Sequence, residues 1–327
     1  MRTPIANYIK HHTLILDGGQ GTDLEERGVD IGNPLWSTLP FLTRDEVQLQ
    51  CIREMYRSFK KAGANALMTV TYQASYQSLL KYSNGKVANE QDYKDFLNYI
   101  ISFTEKECIS SNDYLIGSVG PYAGFLGNGV EYSGDYGPEE IDFLEYYRPQ
   151  VSHFATTDRI DVIGVETIPN VDEFRSLLTP EFAALCGTKP YYISITTDNE
   201  GNLRDGTSVR DLCRYIRQSI TALPSSLLFL GVNCVDFTHC TSIVTNLNNN
   251  LSGSPLKFRA AYPNSGEIYD GTTYSWSPNP NSASGSTWEN LTSSLLEERC
   301  VMIGGCCRSS SRDIALVSRV VQKQPGA

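Results

Sequence analysis

Three cysteines stand where reactive groups would be expected: Cys234 in Gly231-Val232-Asn233-Cys234, and the vicinal pair Cys306 and Cys307 in Gly304-Gly305-Cys306-Cys307-Arg308. Thiolates hold zinc in a tetrahedron, and three protein ligands leave one position open to a reacting molecule, whereas four close the site as a structural one. The trio therefore points to an open zinc centre; the competing explanation is three small buried hydrophobes. Neighbouring residues on a strand face opposite sides, so Cys306 and Cys307 can share an ion only if the backbone leaves extended geometry, which Gly304 and Gly305 permit. Cys51, Cys108, Cys186, Cys213, Cys240 and Cys300 fall in helical patterns or beside strand starts and read as packing. Among them Cys240, just beyond Cys234, is the one able to add a fourth ligand.

A second constellation opens the chain. Asp17-Gly18-Gly19-Gln20-Gly21-Thr22 reads as a turn that offers backbone N–H groups to an anion and the Asp17 carboxylate to an ammonium, a grip suited to an amino acid. A nucleotide phosphate is the rival, but the glycine spacing is not the dinucleotide fingerprint and no P-loop lysine follows. Glu166, in Val165-Glu166-Thr167-Ile168-Pro169-Asn170, tips an apolar run, where a carboxylate is costly to bury without a cation. A substrate ammonium or a Lys or Arg would serve. Tyr72 and Asn233 occupy equivalent strand ends, as hydrogen-bonding groups for a ligand or as packing.

These residues need elements to position them. Short β-branched or aromatic runs alternate with amphipathic segments along the whole chain, giving strands over 13–18, 66–72, 114–120, 162–167, 191–197, 227–233, 257–262 and 301–305. Between them lie helices such as 45–62 and 92–110. Eight nearly continuous apolar strands with helical crossovers predict an α/β fold, a single (β/α)8 TIM barrel over 1–327, in preference to an open doubly wound sheet. In such a barrel chemistry sits at the C-terminal strand ends, where the three cysteines and Glu166 fall. Two stretches outside the alternation, 121–138 and 266–286, follow strands and are expected as long loops on that catalytic face.

Composition bounds the partners. Hydrophobic residues make up 40% and charged residues 20%, which fits a globular chain rather than a disordered or membrane one. A net charge of −10 repels phosphate backbones and anionic lipid, so nucleic acid and membrane are set aside and a small molecule is expected. Nine cysteines, an odd number without an export signal, suit reduced thiols and a cytoplasmic location.

Taken in order, Leu16-Asp17-Gly18-Gly19-Gln20-Gly21-Thr22, Asn33-Pro34-Leu35-Trp36-Ser37, Tyr72-Gln73-Ala74-Ser75, Gly164 to Asn170, Leu203-Arg204-Asp205-Gly206, Gly231 to Cys234, Tyr262 to Glu267 and Gly304 to Arg308 carry a further signal. Singly weak, together they resemble the homocysteine S-methyltransferase family, especially fungal members using S-methylmethionine or S-adenosylmethionine. The resemblance implies a barrel with Zn(2+) on Cys234, Cys306 and Cys307. It also implies that Asp17, the Gly18 and Gly19 backbone and Glu166 hold the amino-acid part of homocysteine, which becomes methionine. Where relatives tend to have Thr and a proline after Cys-Cys-Arg, this chain has Ser309, Ser310 and Ser311. Folate-using relatives carry additional domains, so a small sulfonium donor is implied, with Trp36, Tyr72 and Tyr262 as candidates for a cation–π wall. A non-enzymatic barrel with a structural metal site, and a phosphate-binding barrel enzyme, stand as the alternatives.

Overall fold

The computed structural model describes residues 2–127, 129–270, 275–277 and 287–323. Eight parallel strands, β1 (Leu14–Ile15), β2 (Ala66–Met68), β3 (Tyr114–Val119), β4 (Val162–Ile168), β5 (Tyr191–Ile195), β6 (Leu227–Asn233), β7 (Phe258–Tyr262) and, last in the chain, β10 (Met302–Ile303), form one sheet. Its order is β1-β10-β7-β6-β5-β4-β3-β2. A bridge between Leu16 and Ala66 joins the end strands and closes the sheet into a barrel, so the open-sheet alternative is excluded. The short antiparallel pair β8 (Ile268–Asp270) and β9 (Ser275–Ser277) lies outside it. Among the described residues no helix is long and apolar enough to cross a membrane.

The two-residue period of the strands decides what faces the barrel axis. Leu14, Leu16, Tyr114, Ile116, Val162, Tyr192, Phe229, Ala260, Tyr262 and Met302 form an inner cluster, while Ile15, Leu115, Ile163, Val165, Ile193, Leu230 and Ala261 pack outward under the helices. Continued upward, the same alternation puts Ser118, Glu166, Ser194 and Asn233 on the inner face. Small residues make room for the large ones: a Cβ on Gly164 would stand 2.5 Å from the Tyr192 hydroxyl, and one on Gly231 would stand 3.0 Å from Ala260 Cβ. At the other end Ile5 and Ile9 of the N-terminal segment join the inner cluster, and Tyr114 Oη donates to the Thr3 carbonyl at 2.7 Å.

The helix Glu46–Ala62 shows why the crossovers form. Leu49, Ile52, Met55, Tyr56 and Phe59 recur at helical spacing and are buried, Asp45 caps the start, and Gly63 at φ +106° ends it. The expected helix 92–110 is shifted. It begins at Glu90, because Asn89 Oδ1 accepts from the amides of Gln91 and Asp92 at 2.9 and 3.0 Å, and its regular part ends at Phe103. A π-turn continues to Cys108, where Thr104 Oγ1 bonds back to the Ile100 carbonyl at 2.9 Å. The expected loop 121–138 holds a short helix, Tyr122–Leu126, and a 3₁₀ turn, Val130–Tyr132. Most of 266–286 lies outside the described residues.

Asp45 Oδ1 accepts from Val47 N at 2.9 Å and Gln48 N at 3.3 Å. Asp45→Ala should cost about 1 kcal/mol in urea denaturation with an unchanged slope, since it removes a helix cap and nothing else.

Candidate active site

The three cysteines meet. Their sulfurs all lie within 4.8 Å of one another: Cys234 and Cys306 are in direct disulfide contact with Cα atoms 5.6 Å apart, and Cys307 Sγ is 3.8 Å from Cys234 Sγ. The other seven cysteines are unpaired, and Cys240, buried at the start of the next helix, is not part of the cluster. Extended geometry ends at Ile303, as sharing one point requires. The glycines act by close approach rather than by unusual φ: a Cβ on Gly304 would stand 2.6 Å from Leu16 Cβ, and one on Gly305 2.1 Å from Ser309 Oγ. The left-handed positions are Cys234 itself at φ +50° and Arg308 at φ +64°.

Backbone bonds fix each sulfur. Cys306 N donates to the Pro263 carbonyl at 2.7 Å, Ser265 N to the Cys307 carbonyl at 3.0 Å, and Thr196 Oγ1 to the Cys234 carbonyl at 3.2 Å. Burial pushes the Cys307 thiol up to about 12, against a hydrogen bond from Tyr132, so this donor gives up its proton only beside a cation. With Cys234 and Cys306 reduced to thiols, three soft, converging sulfurs of this kind fit a zinc ion.

Asp17 and Glu166 are 1% and 5% exposed, and the Glu166 charge reaches Cys307. Asp17 Oδ2 accepts from Gln20 Nε2 at 2.8 Å and Met68 N at 3.1 Å, and Glu166 Oε1 accepts from Ser118 Oγ at 2.5 Å. Among the described residues neither has a Lys or Arg partner, which removes the salt-bridge alternative for Glu166. Burial outweighs these hydrogen bonds and pushes Asp17 to about 7 and Glu166 to about 8, the Asp17 charge adding to the latter.

Several expected contacts differ. The Gly19 amide is taken by the Ser309 carbonyl and hydroxyl at 3.0 and 3.1 Å, because the serine run after the cysteines folds back onto the turn. Of that glycine pair, Gly18 alone keeps a free amide among the described residues. Asn233 is fully committed to the wall: its Oδ1 accepts from Thr167 N at 3.0 Å and Ser194 Oγ at 2.7 Å, and its Nδ2 donates to Thr167 Oγ1 at 2.7 Å. It thereby holds β-branched Thr167 at φ +63°, the bend that turns the chain after Glu166, and its Nδ2 lies 4.0 Å from Cys306 Sγ. Trp36 and Tyr72 pair with centroids 6.1 Å apart, whereas Tyr262 sits deeper, in the inner layer with Tyr192.

Gln20, Ser118 and Ser309 went unassigned in the sequence although strand-end position or motif membership could have flagged each. Glu173 had no such signal. It is fully buried, accepts from Tyr122 N and Tyr147 Oη at 2.6 Å and from Tyr136 Oη, and so ties the 121–138 loop to the barrel; burial pushes it up to about 7.

Two outcomes follow from this chemistry. Asp17, Glu166 and Glu173 keep protons in the folded state that the unfolded chain has already released, so the folded state binds more protons between roughly pH 5 and 7. Stability of the reduced, metal-free and substrate-free protein should fall as pH rises through that window, by at most about 1.4 kcal/mol per pH unit for each group, read by denaturant titration at each pH. Gly305→Ala should destabilise by about 1–3 kcal/mol and weaken metal retention, because its methyl group collides with Ser309; a thermal melt and metal analysis check both.

The family model described as Homocysteine S-methyltransferase matches residues 14–321. Homocysteine S-methyltransferase 1 of Saccharomyces cerevisiae is 40% identical over 98% of this chain and 99% of its own length, and homocysteine S-methyltransferase 2 of the same yeast is 37% identical over the same shares. The metallated form of the homocysteine methyltransferase MmuM from Escherichia coli superposes with a TM-score of 0.71 at 25% identity, covering 97% of this chain and 99% of that one. The chain is an enzyme of the homocysteine S-methyltransferase family.

Proposed function

We propose that the protein, as a single barrel domain over 1–327, transfers a methyl group from a sulfonium donor, S-methylmethionine or S-adenosylmethionine, to the thiol of homocysteine, forming methionine. The observation that carries this reading is the convergence of three cysteine sulfurs within 4.8 Å in a barrel mouth that also holds two buried carboxylates, neither with a Lys or Arg partner among the described residues. Zinc held by Cys234, Cys306 and Cys307 supplies the Lewis acidity that keeps a substrate sulfur as thiolate near neutral pH.

The chain's own groups do the rest. Asp17 and Glu166 take the homocysteine ammonium, whose positive charge restores both to the ionised form that burial opposes. The Gly18 amide meets the carboxylate. Gln20 and Ser118 hold the two acids in place, and Asn233 holds the bend that carries Glu166. The Trp36 and Tyr72 rings cover the approach of the cationic donor, a contact worth about 0.5–2 kcal/mol. The methyl passes from the sulfonium sulfur to the homocysteine sulfur, the donor leaves as a neutral thioether, and the thiol proton goes to solvent. Positive and negative charge cancel in that step, so excluding water from the barrel mouth favours it.

Methionine formation from homocysteine, assayed with each donor in turn, tests the reading. Cys306→Ser and Cys307→Ser should each lose stoichiometric zinc and methyl transfer while remaining folded by circular dichroism. Full activity with zinc retained in either variant contradicts it.

A further inference from the structure

The 3₁₀ turn Val130–Tyr132 reaches over the sulfurs, since Tyr132 hydrogen-bonds Cys307. The Arg204 guanidinium lies over the Tyr132 ring at 5.6 Å. Arg204 Nε also donates to Thr196 Oγ1 at 3.4 Å, and that hydroxyl donates to the Cys234 carbonyl at 3.2 Å. One arginine is thereby linked to the surroundings of two of the three cysteines.

Arg204 is partly buried, and among the described residues no carboxylate forms an ion pair with it. Asp198, the acid whose charge reaches it, is engaged by the amides of Glu200 and Asn202 at 3.0 and 2.8 Å. Desolvation pulls the guanidinium below its usual range, the mark of a cation short of an anion. Beside Tyr132 in the same turn stands Glu131, also partly buried, whose carboxylate has its own amide as partner and whose charge is felt by Cys307 and Tyr72. The rim over the sulfurs thus offers a cation without an ion-pair partner among the described residues, a carboxylate likewise without one, and the Tyr132 ring under the cation, which is the complement of a zwitterion. Homocysteine is already provided for by Asp17, Gly18 and Glu166 at the barrel mouth, so this second complement belongs to the other substrate.

We propose that Arg204 binds the α-carboxylate of the sulfonium amino-acid donor, with Glu131 facing the donor's positive charge. A planar guanidinium suits a carboxylate because it can donate two parallel hydrogen bonds. The proposal rests on the sulfonium-to-homocysteine reading above.

The test compares zinc-loaded wild type, Arg204→Met and Arg204→Lys with two donors, S-methylmethionine and trimethylsulfonium, the latter carrying the reactive methyl but no carboxylate. In Arg204→Met the ratio of kcat/KM for S-methylmethionine to that for trimethylsulfonium should fall about 100-fold, with partial recovery in Arg204→Lys, as expected for loss of a charge-assisted contact. The KM for homocysteine should stay within about twofold, since no homocysteine contact is removed. An equal loss with both donors, or a raised homocysteine KM with an unchanged donor ratio, overturns the proposal. Wild type that accepts neither sulfonium removes the underlying reading as well, whereas active wild type with an unchanged ratio in both variants removes this proposal alone.

Discussion

Buried negative charge without a cation is the constraint on which the rest of the site depends. Asp17 and Glu166 stand almost fully enclosed at one end of the barrel, the Asp17 charge disfavours ionisation of Glu166, and among the described residues neither is met by a lysine or arginine. Three sulfurs gather at the same end of the barrel. Anions so enclosed stay protonated or recruit cations, and metal, substrate ammonium and sulfonium are the cations this chemistry brings. The site is held short of neutrality by its own fold and completed by its ligands.

The barrel makes that arrangement affordable. Parallel strands closed by the Leu16 to Ala66 bridge aim all their C-terminal ends at one rim, so residues separated by 72 positions, Cys234 and Cys306, arrive at one point without any element bending to reach it. At the rim, local strain sits at a few strand ends. Thr167, Cys234 and Arg308 adopt left-handed backbone, and each is fixed by a bond from elsewhere: Asn233 to Thr167, Thr196 to the Cys234 carbonyl, and the Arg308 amide to Thr22 Oγ1 at 3.0 Å. The serines after the cysteine pair belong to the same scheme, since Ser309 locks both Gly19 and the Cys306 carbonyl.

Much of this was legible in the sequence because it is written in periods and in strand-end positions. Apolar runs marked all eight barrel strands, and their ends marked the cysteines and Glu166. What escaped was chemistry decided by neighbours far away in the chain. Nothing local says that Asn233 faces Thr167 and Ser194, that Ser309 occupies the Gly19 amide, or that Glu173 gathers Tyr122, Tyr136 and Tyr147 from 51, 37 and 26 positions upstream. The π-turn after Phe103 was likewise hidden, because the apolar spacing of Asp92–Ser110 is the same whichever carbonyl the backbone bonds to. Arg204 and Glu131 carry no periodic signal, and their shared surroundings arise only when two loops fold over one rim.

The zinc X-ray absorption edge of the loaded protein, recorded before and after adding homocysteine, bears most directly on the claim that three cysteines form an open centre completed by substrate. The account predicts three sulfur neighbours per zinc without homocysteine and four with it. Four protein ligands at the start, with no change on addition, would identify a closed structural site and contradict it.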